Sequence, residues 1–262
     1  MSLSPQNWHN RFIQQSVWTK QLRSYLLARL DLNPASRVLE TGCGTGAITA
    51  GLRADTPAQI YGLDLNLPFL RLATQNDFRS SNAKGTRNTA GTRFIAGDAL
   101  RLPFLDNRFD AVVCHFFLLW LPRPGRVLEE MLRVTRPGGS VIAFAEPDYG
   151  GRIDHPPALA ELGRLQAEAL RRQGADPHMG RQISGLFHAA GLRDIETGLL
   201  GAQWQGQPSP REVASEWATL EADLAGQIAM DKFHELRQAD AAARGAGQRV
   251  LFVPTFYAVG KK

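Results

Sequence analysis

Cysteine is nearly absent: Cys43 and Cys114 are the two thiols in 262 residues. A pair cannot build a disulfide framework or a four-thiolate zinc site. It suits a reducing compartment, so a cytoplasmic location is expected, with both thiols free. Long apolar runs are missing too. Phe109 to Leu121 is the longest, and Asp110 and His115 interrupt it. It falls short of the roughly 18 residues a membrane helix needs, so no membrane span is expected. The first ten residues lack a basic stretch followed by an apolar one, and no signal peptide is expected. Neither charge dominates. The 30 Lys and Arg against 25 Asp and Glu give +5, a balance that does not imply a nucleic-acid partner. No His, Cys and carboxylate set has metal-ligand spacing, so no metal is expected. With 44% hydrophobic and 21% charged residues, the chain is neither disordered nor fibrous. Without a repeat or separating linker, residues 1–262 read as a single domain.

Up to residue 145, short strands and helices alternate. Phe12, Ile13, Val17, Leu22, Tyr25, Leu26 and Leu30 recur at helical spacing and predict one helix over 9–31. Strands are expected at Arg37–Thr41, Gln59–Leu63, Arg93–Ala96, Phe109–Cys114 and Ser140–Ala145. Helices are expected at 47–53, 67–76 and 125–134, with a Pro137-Gly138-Gly139 turn before the fifth strand. Residues 77–92, rich in Ser, Asn, Thr and Gly, read as a loop. Alternation of this kind gives a parallel sheet. Beyond it, 157–173, 180–190 and 210–243 read as helical, and 193–200 and 248–260 as strands.

In an open α/β sheet, ligands bind beyond the carboxyl ends of the strands. Four features fall there. Glu40-Thr-Gly42-Cys43-Gly44-Thr-Gly46 follows the first strand, with glycines that let the backbone turn tightly against a ligand and a helix start beyond them. Asp64 ends the second strand, 22 residues after Gly42, where an acid can hold ribose hydroxyls or simply cap the next helix. Gly97-Asp98-Ala99 follows the third strand, and His115-Phe116-Phe117 the fourth. The glycine spacing is not the G-x-G-x-x-G of dinucleotide sites. Glu40 would repel a pyrophosphate and welcome an ammonium group.

These motifs, with Leu102-Pro103-Phe104, Phe109-Asp110 and Arg136-Pro137-Gly138-Gly139, resemble class I S-adenosylmethionine-dependent methyltransferases of the ubiquinone/menaquinone-biosynthesis-like branch. The resemblance covers about 37–146. It implies a Rossmann-like α/β fold, a mostly parallel seven-stranded sheet in the order 3-2-1-4-5-7-6 with strand 7 antiparallel, and a cofactor-binding core over about 35–146. S-adenosylmethionine would be the cofactor and S-adenosylhomocysteine the product. Glu40 and the Gly42, Cys43, Gly44 and Gly46 loop would cradle the methionine part. Asp64 would hold the ribose and Leu65 would pack near the adenine. Asp98 would accept from the adenine amine, with Ala99 offering a backbone amide. His115 and Phe116 would lie beside the sulfonium, and 250–259 would form the last strand.

Several readings stay open at this point. His115 is either a satisfied core histidine or a substrate-facing base, with Tyr149 and His155 as the other candidate bases. Gln15, Trp18 and Arg23 either pack as a lid or cap the cofactor, Arg23 pairing its carboxylate. No Asp/Asn-Pro-Pro-aromatic motif follows the fourth strand and Cys114 follows Val113 rather than proline, which argues against amine- and cytosine-directed DNA methylation. A small organic acceptor, methylated at O, N or C, remains. Helices over 1–31, 157–190 and 210–243 would cover it with residues such as Leu159, Leu162, Trp204 and Trp217. A non-catalytic cofactor-binding module and an NAD-dependent oxidoreductase are the alternatives.

Overall fold

The computed structural model describes residues 4–83, 91–200 and 208–262. Ser4 caps the first helix, α1 (Pro5–Trp18), accepting the Asn7 amide at 3.2 Å, and Pro5 takes the first-turn position. The single helix expected over 9–31 is broken at Thr19, where α2 (Lys20–Ala28) begins. Side chains cause the break. Thr19 Oγ1 donates to the Gln15 carbonyl at 3.2 Å, and Arg23 Nη1 donates to the Ser16 carbonyl at 2.7 Å, taking acceptors a continuous helix would use.

The core follows as β1 (Arg37–Thr41), α3 (Ala47–Asp55), β2 (Gln59–Asp64), α4 (Leu67–Ala83), β3 (Arg93–Ala96), β4 (Phe109–Cys114), α5 (Pro124–Val134) and β5 (Thr135–Pro147). Residues 77–83, read as loop, belong to α4. Asp77 pairs with Arg53 of α3 and accepts Thr92 Oγ1 at 3.2 Å, so tertiary contacts carry the helix past the end of its apolar period. Residues 84–90 of that expected loop, and Trp204, lie outside the described residues. The Pro137-Gly138-Gly139 turn is absorbed into β5. A Cβ on Gly139 would stand 2.8 Å from the Asp110 carbonyl, so only glycine lets the two strands approach there.

After β5 come β6 (Ile153–His155), α6 (Ala160–Arg172), α7 (Met179–Ala189), β7 (Arg193–Leu200), α8 (Pro210–Leu224), α9 (Met230–Gly245), β8 (Val250–Phe252) and β9 (Thr255–Lys261). The long last strand is thus two strands. Pro254 interrupts it and turns its carbonyl to the Asp148 amide at 2.8 Å. β8 leaves the main sheet and pairs antiparallel with β6. The main sheet has seven strands in the order β3-β2-β1-β4-β5-β9-β7, with β9 antiparallel to both neighbours. It departs from the expected 3-2-1-4-5-7-6 only because β6 and β8 take numbers without joining it.

Side chains alternate across the sheet. Val112 and Cys114 of β4 join Leu39, Met131 and Phe187 on one face. Ala111 and Val113 join Leu26, Ile48, Leu52 and Phe144 on the other. A third core binds α6, α8 and α9 through Leu162, Trp217, Leu220, Phe233 and Leu236. Beneath it runs a buried ion network. Asp240 of α9 accepts Trp217 Nε1 at 2.9 Å, Arg244 Nε at 2.7 Å and Arg249 Nε at 2.6 Å. Arg249 Nη2 reaches Asp154 at 2.7 Å, which also holds Arg152. Among the described residues, no helix is long and apolar enough to cross a membrane.

Removing one member of such a network strands its buried partners, at a cost of about 3 kcal/mol or more. Asp240→Ala is therefore expected to lower the unfolding free energy by about that amount, measured by urea titration. A loss below about 1 kcal/mol would show that Arg249 and Arg244 find water or other acceptors.

Candidate functional site

The site lies at the carboxyl edge of the sheet, where the chain switches from the β1-β2-β3 side to β4. Gly42, Gly44 and Gly46 all have positive φ, at 68°, 53° and 78°. Gly42 is needed for space as well, because a Cβ there would stand 2.1 Å from the Phe117 ring. The Gly44 amide donates to Asp64 Oδ2 at 2.7 Å, and Asp64 Oδ1 accepts the Asn66 amide at 2.8 Å. Asp64 thus ties the loops after β1 and β2 together, and both oxygens keep a lone pair for a ligand. The cap of α4 is Asn66, which accepts the Phe69 amide at 3.1 Å.

Glu40 at the end of β1 is buried and accepts the Thr49 hydroxyl. Burial pushes its carboxyl up to about 8, against the Thr49 hydrogen bond and the attraction of Arg23. Arg23 is buried as well. It donates to Ser16 and Thr19, and its own pKa is lowered by burial although Glu40 and Asp55 attract its charge.

After β4 the chain turns sharply, with Phe116 at φ +48° and its amide on the Ala145 carbonyl at 2.8 Å. The next three amides, of Phe117, Leu118 and Leu119, all donate to the buried carboxylate of Glu146, at 2.9, 3.0 and 3.2 Å. Burial still raises the Glu146 carboxyl to about 7. His115 Nε2 meets Thr19 Oγ1 at 2.8 Å. Burial, and then Arg23, hold its pKa well below 6.5, so the ring is neutral.

α1 roofs the site. His9 bridges Thr45 Oγ1 at 2.8 Å and Asn76 Nδ2 at 3.2 Å. Phe12 stacks with Trp8 and meets Phe69 edge-on. Together these elements enclose a cavity of about 390 Å³, a size that suits a small ligand. Glu40, Gly42, Cys43, Gly44, Asp64, His115 and Phe116 line it as expected from sequence. Trp8, Phe12, Gln15, Ala47, Ile48, Asn66, Phe69, Phe117, Trp120 and Gln173 complete the wall.

Other expected site residues are not on that wall. Arg23 lies behind it, spent on the α1–α2 break. Trp18 points outward under Arg11. Leu65 is 73% exposed, and Asp98 caps the short turn Ala99–Arg101 through the Leu100 amide at 2.8 Å. Both sit on strand ends beside Asp64, while Ala99 packs into the core. Gly46 starts α3 against Ala73. Of the three candidate bases only His115 reaches the cavity. Tyr149 packs against the core, where burial raises its hydroxyl, and His155 is exposed on β6, paired with Val250. The sequence reading did not give Glu146 a role. Its one signal was position, an acid directly after an apolar strand.

A family model described as a methyltransferase domain matches residues 39–143. A demethylmenaquinone methyltransferase of Renibacterium salmoninarum is 36% identical over 134 residues, 50% of this chain and 51% of that protein. The chain thus spans about half the length of that relative. The demethylmenaquinone methyltransferase of Geobacillus kaustophilus is 34% identical over 196 residues, 66% of this chain and 78% of that protein. The chain belongs to the class I S-adenosylmethionine-dependent methyltransferases, in their ubiquinone/menaquinone-like branch. The fold agrees. Haemonchus contortus phosphoethanolamine N-methyltransferase 2, solved with phosphomonomethylethanolamine and S-adenosylhomocysteine, superposes with a TM-score of 0.57 at 18% identity, over 90% of this chain and 51% of that one.

The buried acid of β1 leaves a mark on stability. Glu40 ionises near 4.5 when unfolded and near 8 when folded. Between those values the folded state holds a proton the unfolded chain has lost, so the contribution of Glu40 is full below about 4.5 and declines as pH rises through about 8. Glu40→Gln stays neutral throughout. The wild-type unfolding free energy is expected to fall relative to that variant between about pH 4.5 and about pH 8, the interval set by those two values. A constant difference would mean that Glu40 is ionised in the folded protein.

Proposed function

We propose that the chain binds S-adenosylmethionine in this cavity and transfers its methyl group to a neutral, aromatic small-molecule acceptor of the quinol type. The observation that carries the reading is the charge of the wall. Its ionisable lining residues are the acids Glu40 and Asp64, the Cys43 thiol, which burial keeps protonated, and the neutral His115, with no Lys or Arg among the lining residues. The cofactor carries a sulfonium, an ammonium group and a carboxylate, and its two cationic groups suit such a wall. Asp64 keeps lone pairs for ribose hydroxyls, and the faces of Phe116, Phe117 and Trp120 favour a sulfonium. The glycine cradle fits as well, since a Cβ on Gly44 would press on Phe12 at 3.1 Å.

When bound, S-adenosylmethionine supplies an activated methyl group and leaves as S-adenosylhomocysteine. The protein's part is to align acceptor and methyl in line and to exclude water. α1 does the second, and the Phe116–Phe117 turn shapes the wall for the first. An acceptor hydroxyl that loses its proton needs a base, and the neutral ring of His115 is the candidate on the wall. The quinol class rests on the curated relatives' names together with the aromatic, cation-free wall. Neither relies on the loop after β5.

Calorimetric titration with S-adenosylhomocysteine tests the cofactor assignment. The wild type is expected to bind in the micromolar range, and Asp64→Ala about tenfold or more weakly, as for a lost charge-assisted hydrogen bond. Methyl transfer to 1,4-dihydroxynaphthalene, followed by mass spectrometry, tests the acceptor class. A wild type that binds no S-adenosylhomocysteine would overturn the reading.

A further inference from the structure

Gln15 is 9% exposed and lines the cavity, yet its carboxamide has no hydrogen-bond partner among the described residues. Only its backbone carbonyl is used, by Thr19. The residues around it on α1 are fixed. Phe12, one turn before, rests on Gly44 and Phe69. Thr19, one turn after, is bonded to His115. The amide is therefore held on the wall of the cavity that the neutral imidazole of His115 also lines. The amide opens onto the cavity, where a ligand oxygen can take the place of water as its partner.

Its chemistry narrows the ligand. A carboxamide donates and accepts but carries no charge. With acids and no Lys or Arg on the wall among the described residues, an anionic acceptor finds no counter-charge there. A hydroxyl or carbonyl oxygen matches. Position separates Gln15 from the cofactor elements. The glycine loop and Asp64 fall inside the matched family region, 39–143, whereas α1 falls outside it. The shared region supplies what a shared cofactor needs, and the helix outside it is free to choose the acceptor.

We propose that Gln15 is the acceptor-recognition residue, its carboxamide hydrogen-bonding a neutral ring hydroxyl or carbonyl oxygen of the methyl acceptor. This rests on the methyltransferase reading above. Gln15 thereby favours phenols and hydroquinones over rings of the same shape without oxygen, and over anionic acceptors.

Equilibrium binding separates the possibilities without turnover. The probes are S-adenosylhomocysteine, then 1,4-dihydroxynaphthalene (kept reduced) and 1,4-dimethylnaphthalene added to the protein saturated with it. The variants are Gln15→Leu and Gln15→Met, which remove no hydrogen bond within the protein. The wild type is expected to prefer the diol to the dimethyl compound by about tenfold, the worth of one neutral hydrogen bond. Both variants are expected to lose that preference while their affinity for S-adenosylhomocysteine stays within about twofold, a difference too small to be a lost hydrogen bond. Variants that keep the preference would overturn the role of Gln15. Variants that lose S-adenosylhomocysteine affinity to the same degree would place Gln15 on the cofactor and overturn it too. A wild type that binds S-adenosylhomocysteine but shows no preference for the diol would overturn the oxygen-recognition claim alone. A wild type that binds no S-adenosylhomocysteine would bring down the underlying reading and this inference with it.

Discussion

A carboxylate with no solvent exposure, Glu146, collects three consecutive backbone amides. The site depends on that convergence. The turn after β4 must reverse within a few residues, and it leaves the amides of Phe117, Leu118 and Leu119 without carbonyls to meet. Unpaired, each would cost about 1–3 kcal/mol in a buried position. Glu146 meets all three from the neighbouring strand, and it needs no cation because the amides serve as its counter-charge. Its raised pKa shows that burial still outweighs the three hydrogen bonds. Fixing this turn fixes Phe116 and Phe117. The Phe117 ring then occupies the space over Gly42 that a side chain would fill. The acid of β5 therefore helps determine why the first residue after β1 is glycine.

A second constraint is electrostatic. The wall carries acids, and the one buried cation nearby, Arg23, stands behind Glu40 and not in the cavity. Arg23 makes the burial of Glu40 tolerable, and Thr19 relays its position to His115. The repulsion from Arg23 adds to burial in keeping His115 neutral. One arginine thus bears on both a buried acid and an imidazole that stays unprotonated. The helix break at Thr19 and the state of His115 have the same physical origin.

What was legible in the sequence was local. The strand ends, the glycine loop and Asp64 follow from short-range periodicity and turn chemistry, and they stand where the spacing put them. What was not legible depended on partners far along the chain. The sequence shows an Asp, a Tyr, an Arg and a His after β5, but not that Arg152 and Asp154 are taken up by Arg249 and Asp240 from the last third of the chain. That network anchors β6 and carries His155 away from the cavity. The same holds for α4, extended by the pairing of Asp77 with Arg53, and for the split last strand, where β8 joins β6. Arg23 read as a cofactor ligand because its type suits a carboxylate. Nothing in the spacing says that Ser16 and Thr19 claim it first.

The structure divides labour along the chain in a way that bears on specificity. The parallel core supplies strand ends, glycines and acids, and it must stay rigid because their positions depend on packed strands. The roof is attached by few and different bonds: His9 to Thr45 and Asn76, Phe12 to Phe69, and Thr19 to His115. These bonds reach all three of the strand-end loops that form the cavity, so a change of position in α1 alters the wall on several sides at once. The helices α6, α8 and α9 have their own apolar core and touch the cavity through little more than Gln173, whose amide is held by Asp223 of α8. Change in that outer unit reaches the site through Gln173 and through the packing of α8 on α1, whereas α1 bears on the wall directly. The first helix, which lies outside the matched region 39–143, thus shapes the cavity wall more directly than α6, α8 and α9 do.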